Sequence, residues 1–279
     1  MMQTVVWLSA RMSILALLSI SLVAFSACGG GGGESPSIPP QETSQPPPPA
    51  EETTATPSAG QPPSASSSTQ PGSLVVQVTL NGEVTAPEAL EVNKDAEVCG
   101  KTEKFSEKLI VGANKGIKNV LAYLQAVPGA TPLPVPDTNP AIDQTDCRYE
   151  PHVLLAPAGA TVDIKNSDGI LHNIHTYSTK NPAFNMAQPK FQKVIQKTFA
   201  EPEIIQATCD VHAWMTAWIV VQEHAYYALT DETGAARLTD VPAGEYDLKI
   251  WHETLGEQST KVSVKAGEET SAPITLASQ

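Results

Sequence analysis

Soft donor side chains are scarce in this chain: 279 residues carry four cysteines, six histidines and five methionines. No H-E-x-x-H, G-x-S-x-G or phosphate-cradling glycine loop occurs, which excludes the hydrolase and nucleotide chemistries built on them. The run of five glycines at 29–33 has no strand before it and no helix after it. Positive charge is also short. Seventeen Lys and Arg face thirty Asp and Glu, a net charge of -13, which repels nucleic acid and anionic lipid surfaces. No segment carries a long helical period. Beyond the N-terminus, no apolar run reaches the length of a membrane span.

The N-terminus is organised for export. Arg11 precedes the apolar stretch "MSILALLSISLVAF", which ends in small residues before Cys28. Residues 1–27 read as a signal peptide, and "SAC" resembles a bacterial lipoprotein processing site, with Cys28 as the lipidated residue. Removing 1–27 takes away Arg11 and no acid, so the net charge moves from -13 to -14. Residues 28–72 are rich in Gly, Pro and Ser and hold no aromatic residue. Such a segment buries too little apolar surface to order itself and reads as a disordered tether. The expected location is a membrane facing the periplasm or the cell exterior, reached through the lipid anchor only. Gly29 after the anchor favours an outer membrane.

From Ser73 onward the pattern is short strands divided by turns. "SLVVQVTLNG", "KNVLAYLQAV", "HVLLAPAGATVDIKN" with a turn at 157–159, and "AWIVVQEH" all read as β. The expected fold class is all-β: one sandwich over 73–222 and a smaller one over 223–279. Pattern alone leaves open which sandwich owns 73–125.

The densest chemistry lies in "TCDVHAWMTAW" (208–218), where Cys209, His212 and Met215 have the spacing C-x2-H-x2-M. Thiolate and thioether suit reduced copper, and imidazole suits both copper states. Three such ligands on one strand-joining loop can face one ion. The fourth should come from another strand end, and "SDGILHNIHTY" offers His172 and His175. Alternation puts His175 on the opposite face from the site. Met186 is a second axial candidate behind Met215.

Residues 152–222 resemble the blue copper proteins of cupredoxin fold, closest to the amicyanin and plastocyanin group. The likeness rests on "VLLAPAGATVDIKNSDGILHNIH" followed by "TFAEPEIIQATCDVHAWMTAWIVV". It implies a Greek-key sandwich and one mononuclear type 1 copper. His172 would be the upstream ligand, Cys209 the thiolate, His212 the second imidazole and Met215 the weak axial donor. Asn173 would tie the two loops together by hydrogen bonds. The likeness also implies that the edge of His212 faces solvent and passes electrons to a redox partner protein, with Trp214 beside it on a docking surface. Asp210 after the cysteine, and Ala213 where proline often stands, depart from the family pattern. With Cys28 and Cys209 assigned, Cys99 and Cys147 remain, and an exported chain would pair them in a disulfide.

Residues 225–279, through "YYALTDETGAARLTDVPAGEYDLKIWHE", resemble the transthyretin-like or carboxypeptidase regulatory-like module, which lacks catalytic groups. One available cysteine cannot build a binuclear copper centre, and six histidines cannot build a multicopper oxidase. The expectation is an electron carrier and not an enzyme. Copper storage or delivery without redox cycling, and a structural module with a vestigial site, are the alternatives.

Overall fold

Alternation decides the first strand. In Gly72–Asn81 (β1) Leu74, Val76, Val78 and Leu80 are buried and their neighbours are not, the period-two signature of a sheet with one face in a core. The computed structural model describes residues 70–277. The expected signal peptide (1–27), Cys28 and all but the last residues of the expected tether (28–72) lie outside the described residues. Two short helices follow β1: α1 (Ala96–Cys99) and a 3-10 turn at Ala113–Lys115. The remaining elements are β2 (Leu121–Gln125), β3 (Ala141–Thr145), β4 (Arg148–Glu150), β5 (Val153–Pro157), β6 (Thr161–Asn166), β7 (His172–Thr176) and β8 (Asn185–Gln188). After these come β9 (Val194–Thr198), β10 (Glu203–Thr208), β11 (Thr216–Gln222), β12 (Tyr227–Leu229), β13 (Ala235–Val241), β14 (Gly244–His252), β15 (Gly256–Val264) and β16 (Glu269–Ala277). The fold is all-β. Among the described residues no helix is long and apolar enough to cross a membrane.

The strands sort into two sandwiches. One joins the sheets β5-β11-β10-β7-β8 and β4-β3-β6-β9, whose buried residues form a core around Ile142, Ile164, Ile174, Ile205 and Ile219. The other joins β13-β1-β16 and β12-β2-β14-β15 around Leu74, Val76, Leu124, Leu248 and Ile274.

The sequence boundary at 222/223 needs correction here. β1 runs parallel to β16 along nine residue pairs and antiparallel to β13, while β2 pairs with β12 and β14. Residues 72–81 and 121–125 thus belong to the C-terminal sandwich, and the first sandwich is inserted between β2 and β12. The reason is edge satisfaction. The strands after residue 225 cannot close a two-layer core alone, and β1 fills the centre of one of its sheets. The stretch 153–166 is strand, turn and strand as expected, with its two strands in different sheets. The turn at 157–159, closed by the Ala160 N–H on the Pro157 carbonyl and by Gly159 at φ +84°, carries the chain between sheets: β5 pairs with β11, and β6 with β3 and β9.

The two sandwiches meet through Leu121, Val153, Val220 and Trp251, with the Trp218 and Trp251 rings edge to face at 4.8 Å. Glu253 accepts the Trp218 indole N–H at 3.0 Å and pairs with His152 Nε2. The neighbouring His252 is buried. Burial holds its pKa down to about 4, a pull that the Glu253 charge opposes and His152 reinforces. Its Nδ1 accepts the Thr254 and Leu255 N–H groups, which requires that atom unprotonated.

A base with a folded pKa below its unfolded value of 6.5 contributes stability that is present above that value and is lost as pH falls toward about 4. Unfolding free energy should drop by roughly 2–4 kcal/mol over that window. His252→Asn, which keeps an acceptor and does not titrate, should flatten the drop in denaturant titrations run across the same pH window. An equally steep profile in the variant would assign the acid sensitivity elsewhere.

Candidate metal centre

The loop between β10 and β11 is short enough to be folded by its own backbone. Thr208 and Thr216 are the last paired residues. Beyond them the Cys209 N–H reaches the Met215 carbonyl at 3.2 Å, and the Met215 N–H reaches the His212 carbonyl at 3.0 Å. The His212 N–H points at the Cys209 sulfur, 3.4 Å away. This closure turns residues three apart in sequence to one side. Cys209, His212 and Met215 are 2%, 0% and 1% exposed.

β7 delivers the upstream histidine. It pairs with β10 at Ala207↔Thr176 and Thr208↔His175, so the start of β7 runs alongside the loop. His172 is fully buried there, and its Nδ1 lies 2.9 Å from Nδ1 of His212. The donor atoms of His172, Cys209 and His212 all lie within 4.8 Å of one another. Met215 is buried in the hydrophobic core cluster that also holds Cys209.

Asn173 joins the two loops. Its Oδ1 accepts the N–H groups of Asp210 (2.7 Å) and Val211 (3.2 Å) and stands 3.4 Å from the Cys209 sulfur, while its Nδ2 donates to Asn185. Tyr149 adds a second tie, donating its hydroxyl to the carbonyls of both Asn173 and Thr208.

His175 is outside the group. Its ring stacks on Tyr177 at 4.5 Å and faces Asp210 at 3.2 Å. Met186 lies in β8 opposite Ile174, half-buried against the same core. Cys99 and Cys147 are bonded to each other and fully buried. The Cys147 sulfur lies near Asp168 and His172 but is committed to that bond, so these three do not form a second metal site.

Two carboxylates that sequence reasoning missed stand behind the imidazoles. His172 Nε2 lies 2.9 Å from Asp168 Oδ2, and His212 Nε2 lies 2.8 Å from Asp95 Oδ2. Asp168 was legible in part, since it precedes His172 by four residues in "SDGILHN". Asp95 lies 117 positions before His212, and no local pattern links them. Asp95 also corrects the expectation of a solvent-facing His212 edge. The ring is wholly buried, beneath a segment in which Val92 and Val98 pack on the same core. Trp214 is half-buried, 5.0 Å from the His212 ring, and donates to the Cys147 carbonyl.

The electrostatics suit a cation. Burial pushes the Cys209 thiol up, but the His172 ring and the surrounding N–H groups outweigh it and hold the thiol below its ordinary pKa. For His172 burial pulls down, while Asp168 and the Cys209 sulfur carry the net direction up. For His212 burial, aided by the His172 charge, wins over Asp95 and holds the pKa down. The donor set fits a soft ion in one further respect. With each Nε2–H directed to a carboxylate, both Nδ1 lone pairs face each other and the sulfur, an arrangement that a shared cation resolves. Two imidazoles and a thiolate are donors that suit copper.

Comparison with known proteins finds likenesses to parts of the chain. The family model of polysaccharide lyase family 4, domain II, matches residues 196–272, a range that runs from β9 through the Cys209–Met215 loop into the C-terminal sandwich. No curated protein matches the chain. Among solved structures, a Cu(I) amicyanin mutant is 23% identical over 36% of this chain and 98% of that one, with a TM-score of 0.29. A purple cupredoxin from Nitrosopumilus maritimus is 22% identical over 30% of this chain and 100% of its own, at a TM-score of 0.27. A copper-containing nitrite reductase from Thermus scotoductus SA-01 is 22% identical over 33% of this chain but only 25% of its own length, at a TM-score of 0.28.

Proposed function

We propose that this chain is an exported, lipid-anchored copper protein that carries single electrons at a site of two histidines, one cysteine and one methionine. The observation that supports it most is the convergence of His172, His212 and Cys209 donor atoms within 4.8 Å, all buried. His172 Nδ1, His212 Nδ1 and the Cys209 thiolate would hold the ion, with the Met215 thioether as the weak fourth donor. Bound there, one copper supplies a one-electron couple. The protein's own part is to keep the four donors fixed, so that little rearranges on electron transfer, and to keep water out. Four protein donors leave no position for a substrate, so the reading is of a carrier and not an enzyme.

The redox partner is proposed to dock near Trp214, which lines a cleft with the exposed Phe105 and with Arg148. Cys28 would carry the lipid, and the segment after it would set the domain's reach from the membrane. The C-terminal sandwich keeps its proposed likeness to the transthyretin-like module, as a stabilising or contact element.

One observation favours a second reading, copper storage or delivery without redox cycling. The covered His212 ring removes the usual short exit for electrons. Absorption and paramagnetic resonance spectra of the copper-loaded chain separate the two. An intense band at about 600 nm supports the carrier, because it arises from a Cu(II)–thiolate bond. Tight Cu(I) uptake without colour supports storage. Absence of copper uptake rejects both.

A further inference from the structure

We propose that Asp95 is a positioning residue of this centre: its carboxylate anchors the distal nitrogen of His212, seals that ring from solvent and biases the site toward the oxidised ion. The inference rests on the copper reading and names a residue that neither the resemblance nor the ligand set supplies.

Three observations carry it. The first is contact: Asp95 Oδ2 lies 2.8 Å from His212 Nε2, and the ring is fully buried. The second is what Asp95 does not do. It occupies the N-cap of α1, where an aspartate ordinarily accepts a helix N–H through its side chain, yet it makes no side-chain cap bond. The carboxylate is spent on His212 instead, while the Asp95 main-chain carbonyl takes the Val98 and Cys99 N–H groups at 2.9 Å each. The third is conformation. Asp95 holds φ 48°, ψ 40°, the left-handed region that a non-glycine residue enters at a cost, and such strain gathers where a side chain must be aimed.

The anchoring is rigid. Cys99, at the end of α1, is bonded to Cys147. The Cys147 N–H donates to Asp168 Oδ2 at 2.8 Å, and Asp168 faces His172. Both carboxylates are therefore hung from the two halves of one disulfide. A carboxylate on the far nitrogen makes the imidazole a stronger donor, which favours the more highly charged state of the ion. It also fixes the tautomer, leaving Nδ1 free to face the Cys209 sulfur 3.8 Å away.

The test uses Asp95→Asn, which keeps shape and an acceptor but removes charge, and Asp95→Ala, which removes both. In the copper-loaded chain, Asp95→Asn should shift the Cu(I)/Cu(II) equilibrium about tenfold toward Cu(I), which is about 59 mV upward for one electron. Part of that shift should fade at high salt, because the Asp95 side chain is 42% exposed. In the metal-free chain, diethyl pyrocarbonate followed by peptide mass analysis should label His212 at least about tenfold faster in Asp95→Ala than in the unsubstituted protein. Circular dichroism and thermal midpoint check that each variant is folded. A potential unchanged in Asp95→Asn, or equal labelling of His212 in Asp95→Ala and the parent, overturns the proposal. Failure of the parent chain to take up copper overturns the copper reading instead, and the labelling arm still decides whether Asp95 seals the ring.

Discussion

If the centre holds copper as proposed, Cys209→Ser should remove the thiolate band entirely and weaken Cu(I) binding by more than about 100-fold, beyond the range that changes to outer hydrogen bonds produce. The size follows from what the sulfur does. It is the one donor of the set that is both soft and negatively charged, and the neighbouring N–H groups and the His172 ring already stabilise its ionised form. Serine at this position ionises far less readily and binds reduced copper poorly. The fold itself should survive. Cys209 forms no disulfide, two of the bonds that close its loop run between main-chain atoms of Cys209, His212 and Met215, and a serine hydroxyl can still accept the His212 N–H that points at the sulfur. Competition with a Cu(I) chelator, beside a thermal melt, reads both quantities. Retention of the coloured band in the serine variant would show that some other group provides it.

The second large effect belongs to the buried disulfide. Replacing Cys99 and Cys147 together by alanine should cost roughly 3–4 kcal/mol, the chain entropy released when a loop of this length is opened. The bond closes a sequence separation of 48 residues. For a folded unit of about 200 residues that is a fall of about 6–16 °C in Tm. A second consequence separates this bond from a mere staple. Asp95 reaches His212 from the segment tied down by Cys99, and Asp168 is held by the Cys147 N–H. Loosening both should lower copper affinity about 10- to 100-fold, as loss of outer-shell partners does. Calorimetry and chelator competition on the double variant, with and without a dithiol reductant, test the two parts separately. A lower Tm with undiminished copper affinity would restrict the bond to stability alone.

How far the sequence was legible depends on whether the signal was local. Strand content followed from alternation, as in "SLVVQVTL", where each second residue is buried. The loop "CDVHAWM" carried its ligand spacing on its face because a tight loop brings residues three apart to one side. Asn173 was visible because it neighbours His172. What could not be read was pairing across long separations. The β1 sequence is compatible with either sandwich, and its place beside β16, with Ser73 opposite Glu269, follows only from which edge lacks a partner. The covered His212 edge was missed for the same reason: the residues over it come from a segment with no motif of its own.

Residue order alone determined the all-β character, the set of chemically capable side chains and the acidic balance, because composition and period two are properties of neighbours. The tertiary structure alone decided that two aspartates stand behind the imidazoles and that the N-terminal strand completes the C-terminal sandwich, while the meeting of His172 with Cys209 and His212 had been expected from the family likeness. Those outcomes require unsatisfied edges and buried polar atoms to find partners far away in the chain, and that search is settled by the packed whole.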